Sequence, residues 1–306
     1  MKIAIAGGTG FLGSKLTNLL LDHGHVVIIL TRDATNKPEK PNVQYIEWLH
    51  PDSRPEEKMQ DVDAIINLAG ESIGASRWTP KRKQQILQSR INSTKSIVQL
   101  IEKLPSKPNV LVNASAIGFY GNSETDTFTE QSTPTDDSFL SHVVQEWEKE
   151  AEKATAFGVR VVYCRLGVVL DPKEGALKQM LLPYRLFIGG PLGTGKQWLS
   201  WIHIDDAIHM FKFVIEKDTI HGAFNVTAPH PCQMNEFGTE LAKVLHRPHY
   251  LPTPGFALKI LLGEMSTLVL DGQKVIPEKA ISQNYPYLFP TLPLSLENLF
   301  EKGRKH

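Results

Sequence analysis

The sequence has few cysteines, no excess charge of either sign and no long apolar run. Its two cysteines, Cys164 and Cys232, stand far apart, so we expect neither a disulfide framework nor a cysteine-based metal site. The 33 Lys and Arg residues balance 33 Asp and Glu residues, which argues against a protein that binds nucleic acid through its phosphates. No stretch approaches the roughly 18 apolar residues of a membrane-spanning helix. We therefore expect no nucleic-acid, membrane or metal partner.

The N-terminus is apolar over only a few residues before Gly7 and Gly8 interrupt it, which is too short for the core of a signal peptide. Hydrophobic residues make up 41% of the chain and charged residues 22%, as in ordinary globular proteins. The sequence therefore predicts a cytoplasmic protein. The basic tail over 302–306 is expected to be a frayed end.

Strand and helix patterns alternate through the first half of the chain. Helical spacing of apolar residues predicts long helices over 80–104 and 139–156. Short apolar runs predict strands over 2–6, 26–31, 43–48, 64–69, 110–114 and 159–165. Such alternation is typical of βαβ units. We predict an α/β fold in which residues 1–166 form a Rossmann-type doubly wound parallel sheet.

Past residue 166 the pattern loosens, because glycines and prolines interrupt it repeatedly. Helices are predicted over 205–216, 235–245 and 256–262. Residues 167–306 are expected to form most of a smaller C-terminal α/β substrate lobe, while elements from 200–226 are free to return to the first domain.

A glycine-rich turn follows the first strand. Gly7, Gly10 and Gly13 stand between a strand and a helix, where glycines allow a tight turn and a close approach to a dinucleotide pyrophosphate. A structural turn is the simpler alternative. The cofactor contacts predicted here are Gly7, Thr9, Gly10, Phe11, Leu12 and Gly13.

The end of the second strand bears on the choice of cofactor. Thr31 and Arg32 stand where an NAD site usually places a carboxylate, and Asp33 follows. A guanidinium and a hydroxyl suit a 2′-phosphate, which favours NADP(H) over NAD(H). In the alternative, Arg32 is only solvated and Asp33 serves NAD. The residues that end the strand over 64–69 are predicted to line the cofactor, namely Leu68, Ala69 and Gly70.

Together these residues resemble the extended short-chain dehydrogenase/reductases, and more closely the sugar-nucleotide epimerase-like subgroup of NAD(P)-dependent epimerases and dehydratases. The resemblance rests on segments 7–13, 67–71, 77–78, 89–90, 189–193, 197–198, 201–206 and 272–277. It implies NADP(H) bound through Thr31, Arg32, Leu68, Ala69 and Arg90. It also implies a C-terminal module over about 250–300 and a homodimer through the long helices.

The chain departs from that family at its catalytic pair. Typical members carry Tyr-x-x-x-Lys on a helix, where the lysine lowers the pKa of the tyrosine. The corresponding helix begins near Phe139, and Val143 stands where the lysine is expected. The usual pair is therefore absent.

Three residues are candidates for catalysis in its place. Ser115 ends a strand near the family's catalytic serine, although it is offset by one residue and Ala116 takes the usual place. Tyr120 could donate a proton, with simple packing as its alternative. His203 titrates near neutrality, with a structural hydrogen bond as its alternative.

Aromatic and polar residues are predicted to line a substrate pocket. Arg165 could pair with an anionic substrate or with a helix carbonyl, and Trp201 could instead belong to the core. The predicted pocket residues are Glu71, Arg77, Trp78, Arg165, Gln197, Trp198 and Trp201. The bases Lys81 and Lys83 are expected to lie on a solvated helix face.

These features predict an NADP(H)-dependent oxidoreductase or epimerase that acts on a small or nucleotide-linked substrate. A catalytically silent NADP(H) sensor or protein-interaction module is the alternative that the missing pair motivates. An oligomeric scaffold built on the long helices is a third possibility.

Overall fold

The computed structural model describes residues 1–301, so the expectation for the tail over 302–306 lies outside the described residues. The strands are β1 (Lys2–Ala6), β2 (Val26–Thr31), β3 (Val43–Glu47), β4 (Ala64–Asn67), β5 (Val110–Ala116), β6 (Thr127–Phe128), β7 (Arg160–Leu166), β8 (Val168–Leu170), β9 (Trp198–Leu199), β10 (Trp201–His203), β11 (Gly222–Val226), β12 (Cys232–Gln233) and β13 (Lys274–Val275). The α-helices are α1 (Phe11–Asp22), α2 (Pro80–Lys103), α3 (Phe139–Glu152), α4 (Gly175–Arg185), α5 (Ile204–Glu216), α6 (Met234–Leu245), α7 (Gly255–Leu262), α8 (Thr267–Leu270), α9 (Glu278–Ser282) and α10 (Leu292–Glu301).

The central sheet has seven strands in the order β3, β2, β1, β4, β5, β7, β11. Every neighbouring pair in it is parallel. The predicted Rossmann-type doubly wound fold is therefore confirmed. The chain leaves β1 toward β2 on one side and returns to β4 on the other, so a crevice opens between the carboxyl ends of β1 and β4.

Both faces of the sheet are covered, which explains why its strands are apolar along their whole length. On β1, Ile3 and Ile5 join the core beneath α1 and α5, whereas Ala4 and Ala6 join the core beneath α2. Successive side chains of one strand point to opposite faces of the sheet, so β1 contributes to both cores.

A third core lies outside the sheet, around the fully buried Trp201. It is enclosed by α4, α6 and α10 and by two short strand pairs, β8 with β10 and β9 with β12. In the chain, α5 and β11 follow β10 and precede β12, and they return to the main sheet, where β11 pairs with β7. Residues that are distant in sequence thereby build the layer over the sheet edge.

The helices differ from the predictions in one boundary and in four additional short elements. The helix predicted over 139–156 ends at Glu152 and tightens into a 3₁₀ turn. Helices α4, α8, α9 and α10 were not predicted. Two of them contain a proline, Pro183 in the last turn of α4 and Pro293 in the first turn of α10. Proline is tolerated in a first turn, where its missing N–H is not needed. Within residues 1–301, no helix is both long and apolar enough to cross a membrane.

A buried polar network joins α2 and α3 to the sheet. Thr94 on α2 is fully buried, and its hydroxyl oxygen accepts hydrogen bonds from Asn67 Nδ2 and Trp147 Nε1, both at 2.9 Å. Asn67 Nδ2 also donates to Asn113 Oδ1 at 2.7 Å. Because these groups have no access to water, each depends on its partners.

We expect Thr94→Val to keep the shape of the side chain but to remove the acceptor of two buried donors. Each unsatisfied buried donor costs about 1–3 kcal/mol, so the free energy of unfolding should fall by about 2–6 kcal/mol in urea titrations. Ser96→Ala is the matched control on the same helix, because Ser96 is half-buried at the helix surface and bonds only to Asn92 O. A loss for Thr94→Val no larger than that for Ser96→Ala would contradict the role of the network.

Candidate functional site

The turn after β1 leaves no room for side chains at two of its glycines. Gly7 has φ of +80°, and a Cβ there would lie 3.0 Å from the backbone of Leu68. A Cβ on Gly13 would lie 2.1 Å from Gly7 O. The first turn of α1 and the loop after β4 therefore both approach the same backbone, at the crevice between β1 and β4.

The N-terminus of α1 opens onto this crevice without a side-chain cap. Gly10 is the N-cap and makes no side-chain hydrogen bond, so the first N–H groups of the helix are available to an anion. Thr9 and Gly10 are exposed, while Phe11 and Leu12 are half-buried. The ring of Phe11 lies beside Gly175 at the start of α4.

At the end of β2 the two charged residues differ in their partners. The Asp33 carboxylate accepts hydrogen bonds from the Thr35 backbone N–H at 2.8 Å and from its hydroxyl at 2.6 Å. These bonds lower the pKa of Asp33, chiefly through the Thr35 hydroxyl. The Thr31 hydroxyl donates to Asp33 O. Arg32 is exposed and forms no hydrogen bond or ion pair with residues 1–301, so its guanidinium is free to meet a ligand.

Arg90 on α2 supports the loop that follows β4. Its Nη1 donates to Glu71 O at 3.0 Å and to Ile86 O at 3.1 Å. A Cβ on Gly70 would lie 3.3 Å from Arg90 Cγ, and burial lowers the pKa of Arg90 to about 10. Leu68, Ala69 and Gly70 thus lie on a loop that a largely buried cation holds against the glycine turn.

The place of the family's tyrosine and lysine is filled by packing. Trp78 meets Phe139 edge to face with 5.1 Å between ring centroids, and Val143 is buried. Lys83 Nζ lies 4.9 Å from the centroid of the Phe139 ring and 2.8 Å from Glu264 Oε2. An ammonium group therefore stands against the residue that replaces the tyrosine, instead of facing only solvent as expected.

Ser115 and Arg165 meet at Glu148, an acidic residue on α3. The Ser115 hydroxyl donates to Glu148 Oε1. Arg165 donates to Glu148 from Nε and Nη2, each at 2.8 Å, and its guanidinium carbon lies 3.4 Å from the centroid of the Phe119 ring. All three polar residues are buried. From the sequence, the partner of Arg165 was predicted to be either an anionic substrate or a helix carbonyl. In the structure its partner is the carboxylate of Glu148.

Tyr120 is fully buried and its hydroxyl donates to Asn225 Oδ1 at 2.7 Å. Its ring stacks on Phe128 at 5.4 Å. Burial raises the pKa of Tyr120 to about 12. The phenol therefore holds its proton at neutral pH and contributes to the packing between the end of β5 and β11.

His203 caps the N-terminus of α5. Its Nδ1 accepts a hydrogen bond from Asp205 N at 3.0 Å, and its ring stacks on Phe289 at 3.9 Å. These contacts agree with the structural alternative considered for it.

The other predicted pocket residues do not meet at one wall. Trp201 lies in the core of the outer layer and donates to His230 O at 3.1 Å. Gln197 donates to Leu192 O and Val269 O, and Trp198 donates to Glu124 O. Around the loop after β4, by contrast, Glu71 pairs with Arg82, Arg77 donates to Ile260 O at 2.9 Å, and Trp78 contacts Phe139. Glu71, Arg77 and Trp78 are the pocket candidates that lie near the crevice.

Sequence reasoning missed Glu148, Glu264 and the position of Lys83. In the sequence Glu148 is one acid among several in an acidic stretch, and its partner Arg165 comes from a distant strand. Val144, Trp147 and Ala151 recur at helical spacing around Glu148. That pattern could have indicated that Glu148 lies on the buried face of α3. No three His, Cys, Asp or Glu side chains of residues 1–301 are grouped to hold a metal ion.

We expect Arg165→Met to lower the free energy of unfolding by about 3–5 kcal/mol, because it leaves the Glu148 carboxylate buried without its partner. The double variant Glu148→Leu with Arg165→Met removes both charges and should recover most of that loss. Urea titrations of the wild type, the two single variants and the double variant measure this coupling. Additive losses in the double variant would contradict a mutually dependent buried pair.

Comparison with known proteins agrees with the Rossmann-type fold and with the glycine-rich turn after β1. Residues 3–227 match the model of the NAD dependent epimerase/dehydratase family, and residues 253–299 match a domain of unknown function, DUF1731. The chain is 48% identical over 299 residues to the epimerase family protein YfhF of Bacillus subtilis (strain 168), covering 98% of each protein. The resemblance predicted from the sequence is confirmed.

Two solved structures extend the comparison. The human epimerase family protein SDR39U1 (isoform 2), crystallised with NADPH, is 32% identical with a TM-score of 0.86, and the match covers 98% of this chain and 99% of that one. The UDP-glucuronic acid 4-epimerase of Bacillus cereus, in complex with NAD, has a TM-score of 0.77 at 18% identity, covering 98% and 96%. At that identity it supports the fold alone. By its sequence and its fold, the chain belongs to the NAD-dependent epimerase/dehydratase family.

Proposed function

We propose that this protein binds NADP(H) in the crevice between β1 and β4. The observation that carries the proposal is the glycine turn, where Gly7 and Gly13 admit no Cβ and the N-terminus of α1 carries no side-chain cap. A pyrophosphate would accept hydrogen bonds from the first N–H groups of α1 and benefit from its dipole. The human relative crystallised with NADPH supports the same cofactor.

The preference for a 2′-phosphate is argued from the end of β2. Arg32 would pair with the phosphate, and the Thr31 hydroxyl lies beside it. Asp33, which would otherwise accept from a ribose 2′-hydroxyl, already accepts two hydrogen bonds from Thr35. On this basis NADP(H) is favoured over NAD(H).

Arg32→Gln is expected to weaken NADPH binding by about 10- to 100-fold, since a hydrogen bond to a charged group contributes about 1.5–3 kcal/mol. NADH carries no 2′-phosphate, so its affinity should stay unchanged. Fluorescence titration of both nucleotides measures the effect. Arg54→Gln removes another exposed arginine and serves as the control. Tighter binding of NADH than NADPH by the wild type would overturn the assignment.

The reaction proposed is that of an oxidoreductase or epimerase on a small or nucleotide-linked substrate. The nicotinamide supplies the hydride when it is bound, so the protein must orient the substrate and move a proton. Glu71, Arg77 and Trp78 are the candidate substrate contacts at the loop after β4. The hydroxyls of Ser115 and Tyr120 and Nδ1 of His203 each form a hydrogen bond with a protein group, which weakens each of these atoms as a proton donor.

Lys83 is the proton donor that we add. Its ammonium lies over Phe139, at the place where the family carries its tyrosine, and its ion pair with Glu264 fixes it there. A positioned acid contributes about 10²- to 10⁴-fold to a rate. Lys83 would donate that proton to the substrate oxygen, and Glu264 would hold the side chain in place.

NADPH oxidation, followed by absorbance with fractionated small molecules from a cell extract, tests this role. We expect Lys83→Met to lower the rate by about 100-fold or more while NADPH affinity is unchanged. Lys81→Met, on the exposed side of the same helix, should keep the rate. Tyr120→Phe and His203→Gln are also expected to keep it. A rate lost in either of these, but not in Lys83→Met, would transfer the role to that residue.

A silent NADP(H) sensor or protein-interaction module is the second candidate. The observation that favours it is the packed, proton-free pair of Phe139 and Val143. Nucleotide binding without oxidation by any fraction would support it. A homodimer through α2 and α3, and a cytoplasmic location, stay predictions.

A further inference from the structure

Exposed apolar side chains are concentrated in two segments of the outer layer, residues 175–196 and 241–263. Helix α7 has no buried residue, and Phe256, Ile260 and Leu261 are 69%, 75% and 70% exposed. Phe256 and Ile260 are one helical turn apart and share a face. The exposed large apolar residues of the two segments are Leu182, Leu186, Phe187, Ile188, Tyr250, Leu251, Phe256, Ile260 and Leu261.

The two segments lie side by side because hydrogen bonds join their backbones. Gly189 O accepts hydrogen bonds from Tyr250 N at 3.0 Å and Leu251 N at 3.1 Å. Thr253 N donates to Pro191 O at 2.8 Å, immediately before α7. We call the surface made by residues 175–196 and 241–263 the outer apolar surface. Large exposed apolar patches of this kind mark interaction sites.

Basic residues outnumber acidic ones on the outer apolar surface. Residues 175–196 and 241–263 contain no Asp or Glu, although Glu174, Glu240 and Glu264 directly flank them, and their bases are Lys178, Arg185, Lys196, Lys243, Arg247 and Lys259. Lys243 pairs with Glu240, and Lys259 lies in the field of Asp271. The other four bases form no ion pair within the described residues, and the guanidinium of Arg247 lies 4.4 Å from the centroid of the Phe187 ring. The patch is therefore apolar in its body and basic around it.

A second copy of this chain is a poor occupant for such a surface. A two-fold interface places a patch against itself, so unpaired lysines and arginines would approach one another, and like charges brought together at an interface are costly. An anionic lipid bilayer satisfies both features, since acyl chains accept the apolar side chains and headgroups attract the bases.

We propose that the outer apolar surface docks the protein on anionic membranes, with α7 lying in the headgroup region. Such docking needs no spanning helix, so it is compatible with the absence of one in residues 1–301. It differs from the membrane-free behaviour expected from the sequence, because that expectation considered only spanning segments. The proposal requires no particular cofactor or reaction, but α7 also borders the candidate site, because Arg77 donates a hydrogen bond to Ile260 O.

Flotation of the full-length protein with vesicles tests the proposal, using phosphatidylcholine alone and an equimolar mixture with phosphatidylglycerol. We expect binding to the mixed vesicles that weakens in high salt. The double variant Phe256→Ser with Ile260→Ser should bind about tenfold or more weakly, because it removes two apolar groups that would be buried in the bilayer. Arg185→Gln and Arg247→Gln should each weaken binding about fivefold.

Two control variants show whether vesicle binding depends on the outer apolar surface in particular. Leu49→Ser with Ile281→Ser removes exposed apolar residues elsewhere and should leave vesicle binding unchanged. Neutralising the tail at Lys302, Arg304 and Lys305 should also leave it unchanged. Circular dichroism and thermal unfolding establish that each variant is folded.

The proposal is overturned if the wild type does not float with anionic vesicles, if it binds uncharged vesicles equally well, or if only the tail variant loses binding. It is also overturned if sedimentation velocity finds a dimer that Phe256→Ser with Ile260→Ser dissociates, because the occupant would then be a second copy.

Discussion

Helix α1 packs on the turn after β1 so closely that a methyl group on Gly13 would overlap Gly7 O. That contact directs the start of α1 at the crevice, and the loop after β4 closes against Gly7 from the other side. Arg90 and the network around Thr94 then hold this loop and α2 in place. The crevice between β1 and β4 is therefore defined by backbone atoms, with side chains acting mainly as supports.

Much of the sheet could be predicted from the sequence. A parallel strand that is covered on both faces is encoded by a short, continuous apolar run, which is a local pattern. The run over 26–31 and the glycine turn over 7–13 carry their structure within a few residues. Helix α4 could not be predicted in this way, since its amphipathic pattern is short and Pro183 lies within it. The outer layer depends on long-range packing around Trp201, which no local pattern encodes.

The residues of the candidate site also differ in whether a local sequence pattern could reveal them. The glycine turn could be predicted because it depends on local backbone, and Arg32 could be proposed from its position at the end of β2. The pairing of Glu148 with Arg165 depends on how α3 lies across β7, and the position of Lys83 depends on the segment near residue 264. Both arise from contacts between elements, so a helical wheel of either helix alone does not reveal them.

The loop before α10 has a further consequence. Buried Asp206, near the start of α5, accepts hydrogen bonds from Leu288 N at 2.8 Å and Phe289 N at 2.9 Å, and Tyr285 donates to its backbone oxygen. The carboxylate belongs to the segment that matches the epimerase family, and its donors belong to the segment that matches DUF1731. Without the later segment, the Asp206 carboxylate would lose both of these backbone donors and its cover. The packing of the two segments against each other therefore includes one buried charge whose hydrogen bonds come entirely from across the boundary between them.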